Sequence, residues 1–172
     1  MGIVPDVTMP SLVDKESIGE SSLPNALPWD EIDPARYQRY QDLVPLLPGL
    51  RERHDARIGE NPEFVYVNQL RELLNRANER RELSLNAKER KAWQEDFDQR
   101  RLAIENALRE HRGEEPIEKM EDLRALEEQR ALDPESNDEP LDEDPYLRET
   151  GHILADMVSL LREQRVADKR AS

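Results

Sequence analysis

The apolar residues of this chain fall into runs spaced three and four positions apart, and that spacing decides what the chain can become. Leu147, Thr150, Leu154, Met157 and Leu161 alternate steps of three and four. Such a pattern lines one stripe of an α-helix and would scatter over both faces of a strand. Behind Asn61, the residues Val67, Leu70, Leu74 and Ala77 follow the same rule. A third run, Trp93, Phe97, Ile104 and Leu108, lies on or near one face of a charged stretch at 86–112. It predicts a long helix or hairpin arm with one narrow buried seam.

Local signals say where the helices begin. Asp33-Pro34, Asn61-Pro62 and Asp144-Pro145 each set a capping side chain before a proline at the first helical position. The first start predicts a helix carrying Tyr37, Tyr40 and Val44 on one face until Pro45 and Pro48 interrupt it. A short helix is expected over about 50–58, ending at Gly59, and another over 116–132 with Ile117, Met120, Leu123 and Leu126. Residues 133–144 hold seven acids and no base, with Pro134 and Pro140, which reads as a solvated loop.

Residues 1–33 read differently. Ile3 to Pro10 is a short β-type run whose prolines confine it to a sheet edge. No partner strand follows it, and an isolated strand leaves its backbone groups unsatisfied. Its partner is therefore expected outside this sequence. The stretch up to Asp33 is rich in Ser, Pro and acids, with anchors at Leu23, Leu27, Trp29 and Ile32. Leu27-Pro28-Trp29 stands out, because a tryptophan in a polar irregular segment usually packs on a neighbouring surface. The expected fold is all-α: an extended multi-helix domain with long charged helices, preceded by a short strand and irregular linker.

Charge narrows the partners. Charged residues make up 37% of the chain and apolar ones 36%, with a net charge of -14. A field of that sign repels phosphate, which argues against nucleic acid and against an anionic membrane surface. No apolar run approaches the ~18 residues of a spanning helix, so no transmembrane segment is expected. The chain has no cysteine, which rules out disulfides and thiol chemistry within it.

A search for catalytic or metal-binding patterns ends without a site. The histidines are His54, His111 and His152, and none has zincin spacing. One Glu-x-x-His occurs, at Glu149 and His152, but a bundle di-metal centre needs two with further carboxylates. It reads as a helix-surface pair. The stretch from Asp133 to Asp138 loosely imitates a calcium loop and lacks the glycine such a turn requires. Ser84 and Lys88 stand four apart, which is helix-surface geometry rather than a Ser-x-x-Lys motif. No catalytic, cofactor-binding or metal residue is assigned, no cofactor is expected, and the chain alone reads as non-enzymatic.

Several short stretches nonetheless resemble one family. They are Gly2-Ile3-Val4-Pro5-Asp6-Val7, Gly19-Glu20-Ser21, Asn25-Ala26-Leu27-Pro28-Trp29-Asp30, His54-Asp55-Ala56-Arg57-Ile58, Asn61-Pro62-Glu63-Phe64, Ser84-Leu85-Asn86 and Asp144-Pro145-Tyr146-Leu147-Arg148-Glu149-Thr150. In order and spacing they resemble the C-terminal part of the tail-specific, or carboxy-terminal processing (Prc-type), serine proteases of Gram-negative bacteria. The block around Trp29 is the most specific of them, and the stretch 113–143 is the loosest match.

The resemblance implies that residues 1–33 close a protease core and link it to a C-terminal helical domain at 34–172. A PDZ domain and a core with a Ser-Lys dyad precede this region in the family. No catalytic residue carries over, since that stretch has no counterpart here. The resemblance further implies a periplasmic parent that degrades or trims proteins with apolar C-terminal tails, in some members with a helical-repeat lipoprotein adaptor. Ile3, Pro5, Asp6, Leu27, Pro28 and Trp29 become candidates for contact with the parent's PDZ and protease core. The alternative is a free-standing acidic helical protein-interaction module.

Overall fold

The structure, a computed structural model, describes residues 5–13, 19–28, 33, 35–36, 42–80, 82–132 and 144–171. Five α-helices account for most of them, and no strand occurs among the described residues. They are α1 (Leu47–Glu60), α2 (Pro62–Glu79), α3 (Ala87–Arg112), α4 (Met120–Leu132) and α5 (Pro145–Ala171). The all-α expectation holds.

The helices start where capping chemistry places them. Asn61 Oδ1 accepts from the Glu63 amide at 2.9 Å with Pro62 behind it, and Asp144 Oδ1 accepts from the Tyr146 amide at 2.8 Å. Each satisfies a donor that the first helical turn leaves free. Asn61 also gives its own N–H to the carbonyl of Arg57 at 3.0 Å, so one residue closes α1 and opens α2. α1 therefore runs through Gly59 instead of stopping there. Gly113, at φ 71, ends α3 in the left-handed conformation that glycine adopts without a Cβ clash.

Two helix expectations need correcting. Tyr37 and Tyr40 lie outside the described residues, and Val44 begins a 3₁₀ turn at Val44–Leu46 in which it is exposed. The proline at 45 suits the first turn of such an element, where its missing N–H costs no helix hydrogen bond. The stripe on α5 also faces the wrong way. Leu147 and Leu154 are exposed, while Glu149, about 120° of helix rotation from the stripe's centre, is buried.

Packing is a chain of antiparallel pairs. α2 and α3 form a hairpin, joined at one end by Arg112 to Glu63 at 2.7 Å and near the other by Arg80 over the Trp93 ring. The stretch 86–112 is thus one unbroken helix serving as the second arm of that hairpin. α4 folds back on α3, where Asn106 exchanges two hydrogen bonds with the backbone of Ile117. α1 lies against α5, with Gly49 beside Leu160. The core is correspondingly thin: Leu46, Leu50, Phe64, Leu70, Leu73, Leu108, Met120 and Leu123 are buried. Phe64 meets Tyr146 edge to face at 5.2 Å, which ties the hairpin to the start of α5.

Candidate functional site

The densest polar construction lies where α1, α5 and the extended segment 5–13 meet. Along α1, Arg53 and Arg57 are four residues apart, with His54 one position on from Arg53, so all three project to neighbouring faces. Along α5, Glu149 and Asp156 are two turns apart on one face. Antiparallel packing brings the two sets together.

Arg57 grips Glu149 with two prongs, Nε to Oε2 at 3.0 Å and Nη2 to Oε1 at 2.9 Å. Its remaining arm reaches Asp156 Oδ2 at 2.7 Å, and Arg53 Nη1 holds the other oxygen of Asp156 at 3.0 Å. The planar guanidinium fork suits this double grip on carboxylates. Beneath them His54, 1% exposed, lies with Nδ1 2.8 Å from Glu149 Oε1. An ionised carboxylate only accepts, so Nδ1–H donates. The opposite ring nitrogen, Nε2, faces the carbonyl of Thr8 at 3.3 Å.

The charged states follow from the geometry. Burial pushes the Glu149 carboxyl up, but hydrogen bonds from Arg57 and His54 outweigh it and hold the group below the usual glutamate range. Asp156 is likewise lowered: burial opposes, and Arg53 and Arg57 prevail. The Arg57 guanidinium is raised in return, chiefly by its hydrogen bonds to Glu149. The network is thus closed on itself. Its ionised groups spend their hydrogen-bonding capacity on one another, and every buried side-chain N or O among the described residues has a partner.

The clasp also fixes the N-terminal segment. The carbonyls of alternate residues, Asp6, Thr8 and Pro10, face the helices as they would in a strand. Arg51 Nε donates to Asp6 at 3.0 Å, His54 faces Thr8, and the Tyr146 hydroxyl donates to Pro10 at 2.9 Å. Three carbonyls of this segment thus find their partners on the chain's own helices. Side chains here do the work of a neighbouring strand.

Of the residues singled out as contact candidates, Pro5 and Asp6 are exposed at the start of this segment, and Leu27 and Pro28 are exposed further on. Ile3 and Trp29 lie outside the described residues, as do positions 133–143 of the acidic loop. The Glu149–His152 reading changes most. Glu149 is 4% exposed and paired across helices, while His152 is exposed. Ser84, set against Lys88 in the sequence, gives its hydroxyl to Glu89 Oε2 at 2.6 Å and helps cap α3. Sequence reasoning weighed His54 only for zinc spacing, met Arg57 only within a family-like stretch, and passed over Asp156. The available signal was two cations four apart on α1 and two carboxylates seven apart on α5, each pair on one face of its helix.

Beside the clasp opens a polar cleft of about 710 Å³, lined by Glu60, Glu63, His111, Arg112, Arg148 and His152 among others. Among the described residues no group of three or more His, Cys, Asp or Glu is arranged to hold a metal ion, and no helix is long and apolar enough to cross a membrane.

Comparison with known proteins points to one kind of protein. A family model described as the C-terminal domain of tail specific protease matches residues 13–159. The tail-specific protease of Haemophilus influenzae is 32% identical over 168 residues, covering 96% of this chain and 22% of that protein. The chain thus spans about a fifth of the length of the curated relative it matches.

Proposed function

This chain belongs to the family of C-terminal domains of tail-specific proteases, and we propose that it serves as the non-catalytic scaffold of such an enzyme. In this reading the parent is a periplasmic serine endopeptidase that degrades or trims proteins at apolar C-termini. The helices frame its PDZ and protease core, and some of their outer surface is open to a helical-repeat lipoprotein adaptor.

The closed clasp is the observation that carries the scaffold role. Arg53, His54, Arg57, Glu149 and Asp156 are committed to one another, and His54, with Arg51 and Tyr146 nearby, holds the leading segment 5–13 on the helices. A general base or nucleophile needs a free reacting atom. Here the one buried histidine has both nitrogens against oxygens of the same fold. Such an arrangement supports a role in fixing geometry.

Two measurements test the reading. An antibody against this chain, used on fractionated source cells, should find a periplasmic band several-fold larger than 20.1 kDa. A cytoplasmic band at the chain's own mass would replace the scaffold with the free-standing interaction module. Purified chain should also leave a reporter with an apolar C-terminal tail intact. Turnover that copurifies with the chain would overturn the non-catalytic assignment.

A further inference from the structure

Among the described residues, α5 packs on one face and leaves another open. Glu149, Ile153, Asp156 and Leu160 turn toward α1, where Leu160 closes to 3.5 Å of the space a side chain would fill at Gly49. The other face holds Leu147, Thr150, Gly151, Leu154, Val158 and Leu161, within an arc of about 100° at 3.6 residues per turn. These are all the positions in that arc between 147 and 161, and none is charged, in a chain that is 37% charged. Leu147, Leu154 and Val158 are 47%, 57% and 38% exposed, and a Cβ added at Gly151 would meet nothing within 4 Å.

We infer that this outer face of α5 is the seat on which the remainder of the protease polypeptide docks, an inference that rests on the scaffold reading above. Four observations favour that occupant. First, the face is small: fifteen residues at 1.5 Å rise and a helix width of ~10 Å give roughly 200 Å². A free partner or a second copy needs roughly 800 Å² a side for a stable complex. A tethered partner needs less, because the linker holds it at an effective concentration in the millimolar range.

Second, the relative extends well beyond this chain, which answers to 22% of it, while the family match at 13–159 takes in the face through Val158. Third, the absence of charge suits the core of a protein interface, where charged residues are depleted. An acidic or basic partner surface would find nothing to pair with. Fourth, the Pro10 carbonyl accepts from Tyr146 in the first turn of α5, and the exposed Leu12 and Val13 follow two and three residues on. The segment that leads into this domain thus also carries exposed apolar residues close in sequence to its anchor on α5.

The test is thiol labelling in the full-length protease. This domain contributes no cysteine of its own, so Leu154→Cys and, on the hairpin, Lys88→Cys can be followed peptide by peptide with a maleimide. Both positions are exposed in the domain's own fold. Docking predicts that Leu154→Cys labels at least tenfold more slowly than Lys88→Cys. Val158→Cys is expected to repeat the result. Equal rates would overturn the inference, since the face would then be open to solvent. Protection that vanishes on hundredfold dilution would also overturn it, by showing that a second copy covers the face. The size of the band on the immunoblot decides the scaffold reading separately. A several-fold larger protein with equal labelling rates sinks this docking face and leaves that reading standing.

Discussion

The two ends of the molecule use the same charged residue types to opposite effect. At the clasp, Glu149 is 4% exposed and held by Arg57 and His54. Along the α2–α3 hairpin, pairs such as Arg100–Asp96 and Arg76–Glu72 are more than half exposed on both sides. Water and salt screen the second kind, and ordering two long side chains offsets most of what remains. In the clasp the carboxylate has already lost its water, so its partners replace that hydration. Number of ion pairs is a poor guide to which end is rigid; burial decides.

The sharpest way to break this contrast is Glu149→Ala. It leaves the buried His54 without its carboxylate and Arg57 with Asp156 alone, which costs about 3 kcal/mol, the low end for a broken buried pair because Arg57 stays partly solvated. For a chain of this size each kcal/mol shifts the melting midpoint by ~2–4 °C. A fall of roughly 6 °C or more is therefore expected by calorimetry. A loss no larger than that from Arg100→Ala would erase the distinction between the two ends.

Acid should find the clasp next. Glu149 and Asp156 have folded-state values below their ordinary 4.5 and 3.8. A depressed folded value means stability that is present above the ordinary value and lost as pH falls through the folded one. The urea midpoint should hold near neutrality and drop below about pH 4. In Glu149→Gln that acid limb should flatten. An unchanged limb would place the proton-linked stability elsewhere.

A smaller effect lies between the ends, at Tyr66 and Glu105. Burial pushes the Tyr66 hydroxyl well above its ordinary 10.0, helped by the neighbouring Glu105 carboxylate to which it hydrogen-bonds. Here the folded value is raised, so the contribution is complete below the unfolded value and lost as pH rises past it. Tyr66→Phe should cost about 1–3 kcal/mol near neutrality, because Glu105 stays buried with a partner removed. It should also blunt destabilisation above about pH 10. Denaturant titrations at pH 7 and pH 10.5 separate the two effects.

The smallest change is expected at the hairpin end. Arg80 lies 5.0 Å from the centroid of Trp93, which stacks in turn on Phe97. Arg80→Ala should cost no more than about 1 kcal/mol, the scale of a cation–π contact near the surface. Arg100→Ala, losing one exposed i,i+4 pair, should cost about 0.3–0.5 kcal/mol. Thermal melts of the two side by side would show whether the stacked arginine contributes more than a solvated pair.

The helix starts at Asn61 and Asp144 were legible because their chemistry is local, whereas Ala35 and Arg36 behind Asp33-Pro34 are not helical. An Asn or Asp before proline offers its oxygen to an amide two residues on, and nothing distant is needed to see it at Asn61 or Asp144. The interior partners were another matter. His54 meets Glu149 95 residues away and Thr8 46 residues away, and periodicity carries no information about such distances. The orientation of α5 was misread for the same reason. Its leucines make the more visible stripe, yet the charges on α1 set which side turns inward.

By itself, then, the sequence determined a helical fold, most helix boundaries and the family, since spacing, capping and ordered short stretches are written along the chain. Only the tertiary structure decided that Glu149 lies inside while Leu154 lies outside, and that residues 5–13 lean on their own helices. An amphipathic helix has more than one face it could bury. Which one it does bury depends on the groups that antiparallel packing brings opposite it, and two arginines and a histidine on α1 favoured carboxylates over leucines.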